Sequence, residues 1–252
     1  MLARRRTGFG VCFEKFHQRS YELEHLDKGD YTPEEYEGCI VELQRVNRWL
    51  GDTRALRNTL LRDVAAEDLQ SFSILDVGAG SGELLRVIAS WARETKRQTR
   101  LVGLELNERS AQAIIEESRQ YPQIASVRGD AFRLPFVDQQ FEYVICSLFM
   151  HHFLDPQVVE LLREMSRVAR RRIFVIDLHR GAVAYFFFTT VARLFLHNRL
   201  IREDGALSIL RSFKPDELQK LAAEAKLKNI SVEQHFPSRL VLRAEPPAER
   251  SN

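Results

Sequence analysis

From residue 72 onward, short apolar runs alternate with stretches whose apolar residues recur every three or four positions. The runs are 73–77, 101–106, 125–128, 141–147 and 172–177. Between the first two, Leu84, Leu85, Ile88 and Trp91 fall on one helical face. Between the last two, Val158, Leu161, Leu162, Met165 and Val168 do the same. A strand-helix-strand rhythm of this kind requires crossover connections, and so a parallel sheet covered on both faces. Leu218, Leu221, Ala222 and Ala225 mark one further helix. Runs 229–233 and 239–243, split by a segment containing Pro237, read as a closing antiparallel hairpin.

The first 30 residues lack periodicity. At Thr32 a helix is predicted to start: Thr32 caps it, Pro33 suits its first position and Glu35 completes a capping box. Tyr36, Cys39, Ile40, Leu43, Val46, Asn47 and Leu50 share its apolar face, Gly51 ends it, and a second helix runs through Leu60 and Leu61. The predicted fold is α/β: a doubly wound, Rossmann-like sheet of seven strands, mostly parallel, with a C-terminal antiparallel hairpin. The predicted organisation is a helical cap at 1–69, a sheet domain at 70–245 with an apolar insertion at 180–213, and a solvated tail at 246–252.

Composition narrows the class. Lys and Arg total 37 against 35 Asp and Glu, a net charge of +2, so no nucleic-acid partner is expected. The three cysteines Cys12, Cys39 and Cys146 are far apart, which argues against a disulfide framework and for a reducing cytoplasm. The basic start MLARRR is followed by no apolar stretch and does not read as a secretory signal. The most apolar stretch, 181–196, is interrupted by Arg193 and is shorter than the roughly 20 residues of a membrane span.

The strongest motif is ILDVGAGSGEL at 74–84. A strand runs into Gly78, Gly80 and Gly82, and a helix follows. Glycine lets the chain turn sharply and a ligand approach the backbone. A dinucleotide-binding loop has the spacing GxGxxG, but here its third glycine is replaced by Glu83, an acid where a pyrophosphate needs room and positive potential. An NAD(P)-dependent oxidoreductase is therefore the weaker alternative.

Asp76 to Gly82 resembles the first motif of class I S-adenosylmethionine-dependent methyltransferases. The resemblance continues in order through Glu105 and Leu106 in LVGLELN, Asp130 and Ala131 in RGDAFRLPF, and FEYVICSLFMHHF, and covers about residues 70–178. It implies S-adenosyl-L-methionine as cofactor. Asp76, Gly78, Ala79, Gly80, Gly82 and Ser147 would then line its site, Glu105 and Leu106 would meet the ribose, and Asp130 and Ala131 the adenine. The DNA amino-methyltransferase tetrapeptide NPPY is absent after the fourth strand, where SLFM stands. The paired glutamates of protein arginine methyltransferases are absent too. LPF at 134–136 and MHHF at 150–153 resemble the small-molecule group that contains the ubiquinone and menaquinone enzymes. A non-catalytic S-adenosylmethionine-binding assembly module is the second alternative.

Class I topology puts the acceptor over the fourth and fifth strands. His151, His152 and His179 follow these strands and are the candidates for a general base, since histidine titrates near neutral pH. The alternative for each is packing. No metal is expected: adjacent residues on a helix point about 100° apart, and no HxxxH spacing is present. Tyr31, Arg45 and Asn47 are candidates for the cofactor's methionine end. Arg170, Arg171 and Arg172 are expected at a solvated helix C-terminus before the fifth strand. The insertion carries Phe186, Phe187, Phe188, Leu194, Phe195, Leu196, Leu200 and Ile201. It suits a small, lipophilic, aromatic acceptor of phenol or quinone-like type, methylated at oxygen before carbon, and alternatively core packing, a dimer face or transient membrane contact.

Overall fold

A computed structural model describes residues 15–32, 34–35, 38–39, 42, 51–192 and 196–247. Seven strands form one sheet: β1 (Ser71–Val77), β2 (Gln98–Glu105), β3 (Ile124–Arg128), β4 (Phe141–Ser147), β5 (Ala169–Leu178), β6 (Lys228–His235) and β7 (Arg239–Glu245). Their spatial order is β3-β2-β1-β4-β5-β7-β6. The pairs β1/β2, β1/β4, β2/β3 and β4/β5 are parallel, and β7 pairs antiparallel with both β5 and β6. The predicted architecture is the one observed; β4 coincides with its apolar run, and β1, β2 and β5 start two or more residues earlier. The switch point lies between β1 and β4, so a crevice opens beyond their carboxyl ends.

Strand alternation divides the core. On β1, Leu75 and Val77 face one layer while Phe72 and Ile74 face the other. The first layer is covered by α5 (Asp155–Val168) and α8 (Pro215–Glu224). The second is covered by α2 (Asp52–Leu56), which continues through Arg57–Leu61 and Arg62–Ala66, and by α3 (Glu83–Glu94). The face of α3 is the predicted one, with Leu84, Leu85 and Ile88 buried. α4 (Glu108–Glu117) lies against β2 and β3.

A third apolar cluster stands above the crevice. It joins Cys39 to Phe188, Leu196, Leu200, Ile201 and Ile209 of the insertion, with Leu26, Tyr31 and Leu178 against it. The insertion folds as α6 (Ala182–Phe187), a wider turn at Phe188–Ala192, and α7 (Arg199–Arg211). The Thr32–Glu35 capping box is present: Glu35 N donates to Thr32 Oγ1 at 3.2 Å, and Thr32 N to Glu35 Oε2 at 3.0 Å. Pro33, Tyr36, Ile40, Leu43, Arg45, Val46, Asn47, Leu50, Cys12, the Leu194–Phe195 pair and the end of the tail lie outside the described residues.

Arg170, Arg171 and Arg172 correct one expectation. They are in β5, not at a helix end, because α5 stops at Val168 and the chain turns extended at Ala169. Each meets an acid. Arg170 bonds Glu142 Oε1 at 3.0 Å, Arg171 bonds Glu67, and Arg172 reaches Asp63 at 2.5 Å, Glu67, and Glu245 at 3.1 Å. Arg243 adds a bond to Asp63 at 2.9 Å. This network sits at the end of the sheet opposite the crevice.

Candidate active site

The glycine loop is built as the motif requires. Gly78, Gly80 and Gly82 all have positive φ, where a side chain is strained. A Cβ on Gly78 would strike the Phe149 ring at 2.8 Å, and one on Gly82 would meet Ile114 at 3.2 Å. One on Gly80 would meet nothing within 4 Å. Gly78 and Gly82 thus answer to packing, whereas Gly80 opens onto the crevice. Its N–H donates to Glu105 Oε1 at 2.5 Å.

Beneath the loop, Asp76 is 2% exposed, and its Oδ1 has no hydrogen-bond partner among the described residues. Burial, with the nearby Glu105 charge adding to it, pushes its carboxyl up to about 8. Burial likewise raises Glu105, against the lowering effect of bonds from the Gly80 and Leu106 amides. A buried carboxylate without a partner is costly, and a cationic ligand relieves the cost.

Across the crevice, β4 ends at Ser147. Leu148 takes a left-handed φ of 50° and its N–H bonds Ile176 O at 2.9 Å. A 3-10 turn, Met150–His152, follows. Inside it the two histidine rings lie 4.3 Å apart and tilted by 34°, so they do not diverge as helix geometry predicts. His151 is buried. Its N–H donates to Asp177 Oδ2 at 3.2 Å, and its Nδ1 meets Asp177 Oδ1 at 2.7 Å. Burial alone would raise the Asp177 carboxyl, but the facing His151 charge and hydrogen bond hold it below the ordinary range. An ionised Asp177 accepts only, so the His151 Nδ1 facing it carries a proton. Nε2 lies 4.0 Å from Glu24 Oε1. His152 is partly exposed, with Nδ1 3.2 Å from Asp27 Oδ1 and 3.8 Å from Glu24 Oε2.

Buried arginines fix this turn. Arg211 donates to His151 O at 3.1 Å and His152 O at 2.5 Å. Arg19 donates to Phe153 O at 3.1 Å and Asp155 Oδ1 at 2.5 Å. Ser208 Oγ donates to Glu24 Oε1 at 2.8 Å, and Asp204 accepts the amides of His25 (2.8 Å) and Leu26 (3.1 Å). One face of α7 therefore seats α1 (His25–Lys28) over the histidines. Burial raises the Glu24 carboxyl despite His152 nearby.

One cavity of about 660 Å³ joins the two halves. Asp76, Gly78, Ala79, Gly80 and Ser147 line one part, His151, His152 and Glu24 another, and Phe188, Leu200, Ile201 and Ile209 an apolar wall. Of the other sequence-predicted residues, Gly82 packs behind the loop and Glu105 bonds it. Leu106 is 67% exposed, Asp130 is exposed and accepts Phe132 N at 2.9 Å, and Ala131 is buried in the core. His179 lies off the cavity. Its N–H bonds Ser238 O at 3.1 Å, and burial and the Arg180 and Lys214 charges lower its pKa. Glu24, Asp27, Asp177 and Arg211 were not singled out by sequence. Asp177 stands in VIDLHR beside His179, and its buried register at the end of β5 is the signal that distinguishes it.

Residues 74–172 match the methyltransferase domain family. The demethylmenaquinone methyltransferase of Bacillus licheniformis is 25% identical over 205 residues, 76% of this chain and 82% of that protein. The 2-phytyl-1,4-naphtoquinone methyltransferase of Thermosynechococcus vestitus is 33% identical over 99 residues, 39% of this chain and 42% of that one. Among solved structures, the CurJ carbon methyltransferase overlays with a TM-score of 0.63 at 12% identity, covering 95% of this chain and 67% of that one. A SAM dependent methyltransferase from Aquifex aeolicus gives 0.54 at 14%, covering 80% and 96%. At these identities the structures speak for the fold alone. Fold, loop and relatives together define a class I S-adenosylmethionine-dependent methyltransferase. The family match and the relatives support the small-molecule type of that class.

The residues present fit that cofactor. Asp76 Oδ1, buried and without a hydrogen-bond partner among the described residues, is available to a ligand donor, and Gly80 leaves the space over the loop clear. Gly80→Ala separates fit from folding. The added methyl touches no protein atom, so stability should fall only by the roughly 1 kcal/mol of a left-handed alanine. Affinity for S-adenosylhomocysteine should fall about tenfold or more, because the methyl occupies ligand space. Calorimetric titration alongside a thermal melt checks both.

Proposed function

We propose that the protein transfers the methyl group of S-adenosylmethionine to a small, lipophilic aromatic acceptor of phenol or quinol type, at oxygen in preference to carbon. The observation that carries this reading is the continuity of the cavity. It runs from the glycine loop to an acid–histidine floor and up an apolar wall. An apolar pocket with a few convergent polar groups suits a lipophilic ring bearing one ionisable hydrogen. The names of the relatives, one of them a phytyl naphthoquinone enzyme, point to the same class of acceptor.

Asp76, Gly78, Ala79, Gly80, Gly82 and Ser147 would hold the cofactor, with Glu105 and Leu106 toward the ribose and Asp130 and Ala131 toward the adenine. Glu105 must leave the Gly80 amide, or share it, when the ribose arrives. The cofactor supplies an electrophilic methyl carbon on a sulfonium. The chain's own task is to hold the acceptor in line and keep water out, which is worth about 7–11 kcal/mol. Of the three histidines only His151 combines burial, an Asp177 partner and a place in the cavity lining. It is the favoured proton acceptor, and His152 and Glu24 complete the floor. Positioned acid–base groups contribute about 10²–10⁴-fold.

Val183, Phe186 and Phe187 are exposed near the apolar wall. They offer a surface for transient contact with a bilayer that holds a lipophilic acceptor. Among the described residues no helix is long and apolar enough to cross a membrane. The described cysteines, Cys39 and Cys146, are free and buried, in keeping with a reducing cytoplasm.

The test uses methyl-labelled S-adenosylmethionine, the purified protein and an extract of its own host. Label in the organic phase, absent without the enzyme, is the expected result. Analysis of the product by NMR then distinguishes a methoxy from a carbon-bound methyl. Label confined to acid-precipitable material would sink the small-molecule reading, and binding of NAD(H) in place of S-adenosylhomocysteine would revive the oxidoreductase.

A further inference from the structure

We propose that Glu24, His151 and His152 bind a divalent first-row transition ion of the zinc type in the floor of the cavity. The sequence spacing argues against a metal, since neighbouring histidines on a regular helix diverge. The 3-10 turn removes that objection by bringing the two rings to 4.3 Å. One donor atom from each of the three residues lies within 4.8 Å of the others. His151 Nε2 is 4.0 Å from Glu24 Oε1, and His152 Nδ1 is 3.8 Å from Glu24 Oε2. Donors about 2.0–2.2 Å from a tetrahedral ion stand roughly 3.3–3.6 Å apart, so donor pairs now within 4.8 Å would close by up to about 1.3 Å around an ion.

Two further features fit an ion. Asp177 holds Nδ1 of His151, the carboxylate–histidine arrangement that orients a metal-bound imidazole and fixes which nitrogen it presents. The charge is also unbalanced. Glu24, Asp27 and Asp177 gather around the two rings against the guanidinium of Arg211, which lies 3.8 Å from Glu24 and 3.2 Å from Asp27. Three carboxylates thus face one guanidinium in a largely buried place, an arrangement that suits a cation. Two nitrogens and a carboxylate favour zinc, cobalt or iron over magnesium or calcium, which prefer oxygen alone.

The inference rests on the reading of this cavity as the acceptor site. The ion's open position faces the space the acceptor ring would fill. A hydroxyl bound there ionises more readily, its O–H proton leaving to solvent. In the loaded protein His151 is then a ligand, and the ion takes over the work of a free imidazole.

The full chain, stripped with a chelator and titrated with Co²⁺, should develop a visible d–d band that saturates at one cobalt per chain. Zn²⁺ should displace it. Glu24→Gln and His152→Gln should each weaken cobalt binding by about tenfold to a hundredfold or more. S-adenosylhomocysteine affinity, measured on the same samples, reports that the variants are folded. No band and no retained zinc in a protein that binds S-adenosylhomocysteine would overturn the proposal, as would a band unchanged in both variants. Cobalt bound at this site in a protein that never takes S-adenosylhomocysteine would support the metal site while removing the methyltransferase reading.

Discussion

His151→Asn should lower methyl transfer by about two to four orders of magnitude while S-adenosylhomocysteine affinity stays within about a factor of two. The substitution is chosen for its geometry. The amide nitrogen of asparagine takes the place of Nδ1 and can still donate to Asp177, so the buried carboxylate keeps its partner. Only the far side of the ring, with Nε2, is lost. The glycine loop lies across the cavity and is untouched. Asp177→Asn is the complementary change. It preserves shape but lets the imidazole take either tautomer, and its activity should fall in the same direction. Single-turnover rates read both effects. An asparagine variant that kept more than about a tenth of the activity would mean that proximity alone drives transfer. Both a base and a metal ligand predict the loss, and the cobalt titration tells them apart.

Asp76→Asn should strengthen the cofactor-free fold and weaken cofactor binding. In the folded chain burial lifts the Asp76 carboxyl to about 8, from an unfolded value near 3.8. The folded state therefore keeps a proton that the unfolded state gives up. The sign follows: this group's contribution is fully present below pH 3.8, falls as pH rises, and levels off above about 8. Asparagine carries no charge, so its folding stability should overtake the wild type's across that window, by on the order of several kcal/mol at pH 8. The same change removes the carboxylate that would pair with the ligand's α-ammonium, the cationic group S-adenosylhomocysteine shares with the cofactor. S-adenosylhomocysteine binding should weaken by about a hundredfold, the loss of an uncompensated buried charge partner. Melts with and without the ligand, taken from pH 5 to 9, measure both halves. A variant less stable than the wild type at pH 8 would show that the carboxylate is satisfied in some other way.

The sheet was legible because each of its signals is local. A buried parallel strand is a short apolar run, a crossover helix is a 3.6-residue stripe, and the glycine loop needs Gly78 and Gly80 at fixed distance from β1. The histidine pair was visible as well, but its meaning was not. Glu24 and Asp27 come from a segment without periodicity, more than a hundred residues upstream, and Arg211 from the end of the insertion. No spacing rule links three such places. The ring geometry of His151 and His152 depends on a 3-10 turn, and helix geometry predicted the wrong angle. Arg170–Arg172 failed for a related reason: a run of arginines looks solvated until the partners Glu67, Asp63 and Glu142 are folded against it.

Those arginines divide the molecule by what it senses. At the foot of the sheet Arg172 and Arg243 share Asp63, and both partners keep some contact with solvent. The more exposed pairs of the network, Arg170–Glu142 and Arg171–Glu67, are screened once the Debye length drops from about 10 Å to about 3 Å, between 0.1 and 1 M salt. At the head, the Asp76 and His151–Asp177 carboxylates are out of reach of that screening and answer to protons instead. Adding sodium chloride should therefore soften the scaffold and leave the pH profile of turnover where it stands. Ionic strength and acidity become independent controls on opposite ends of one sheet.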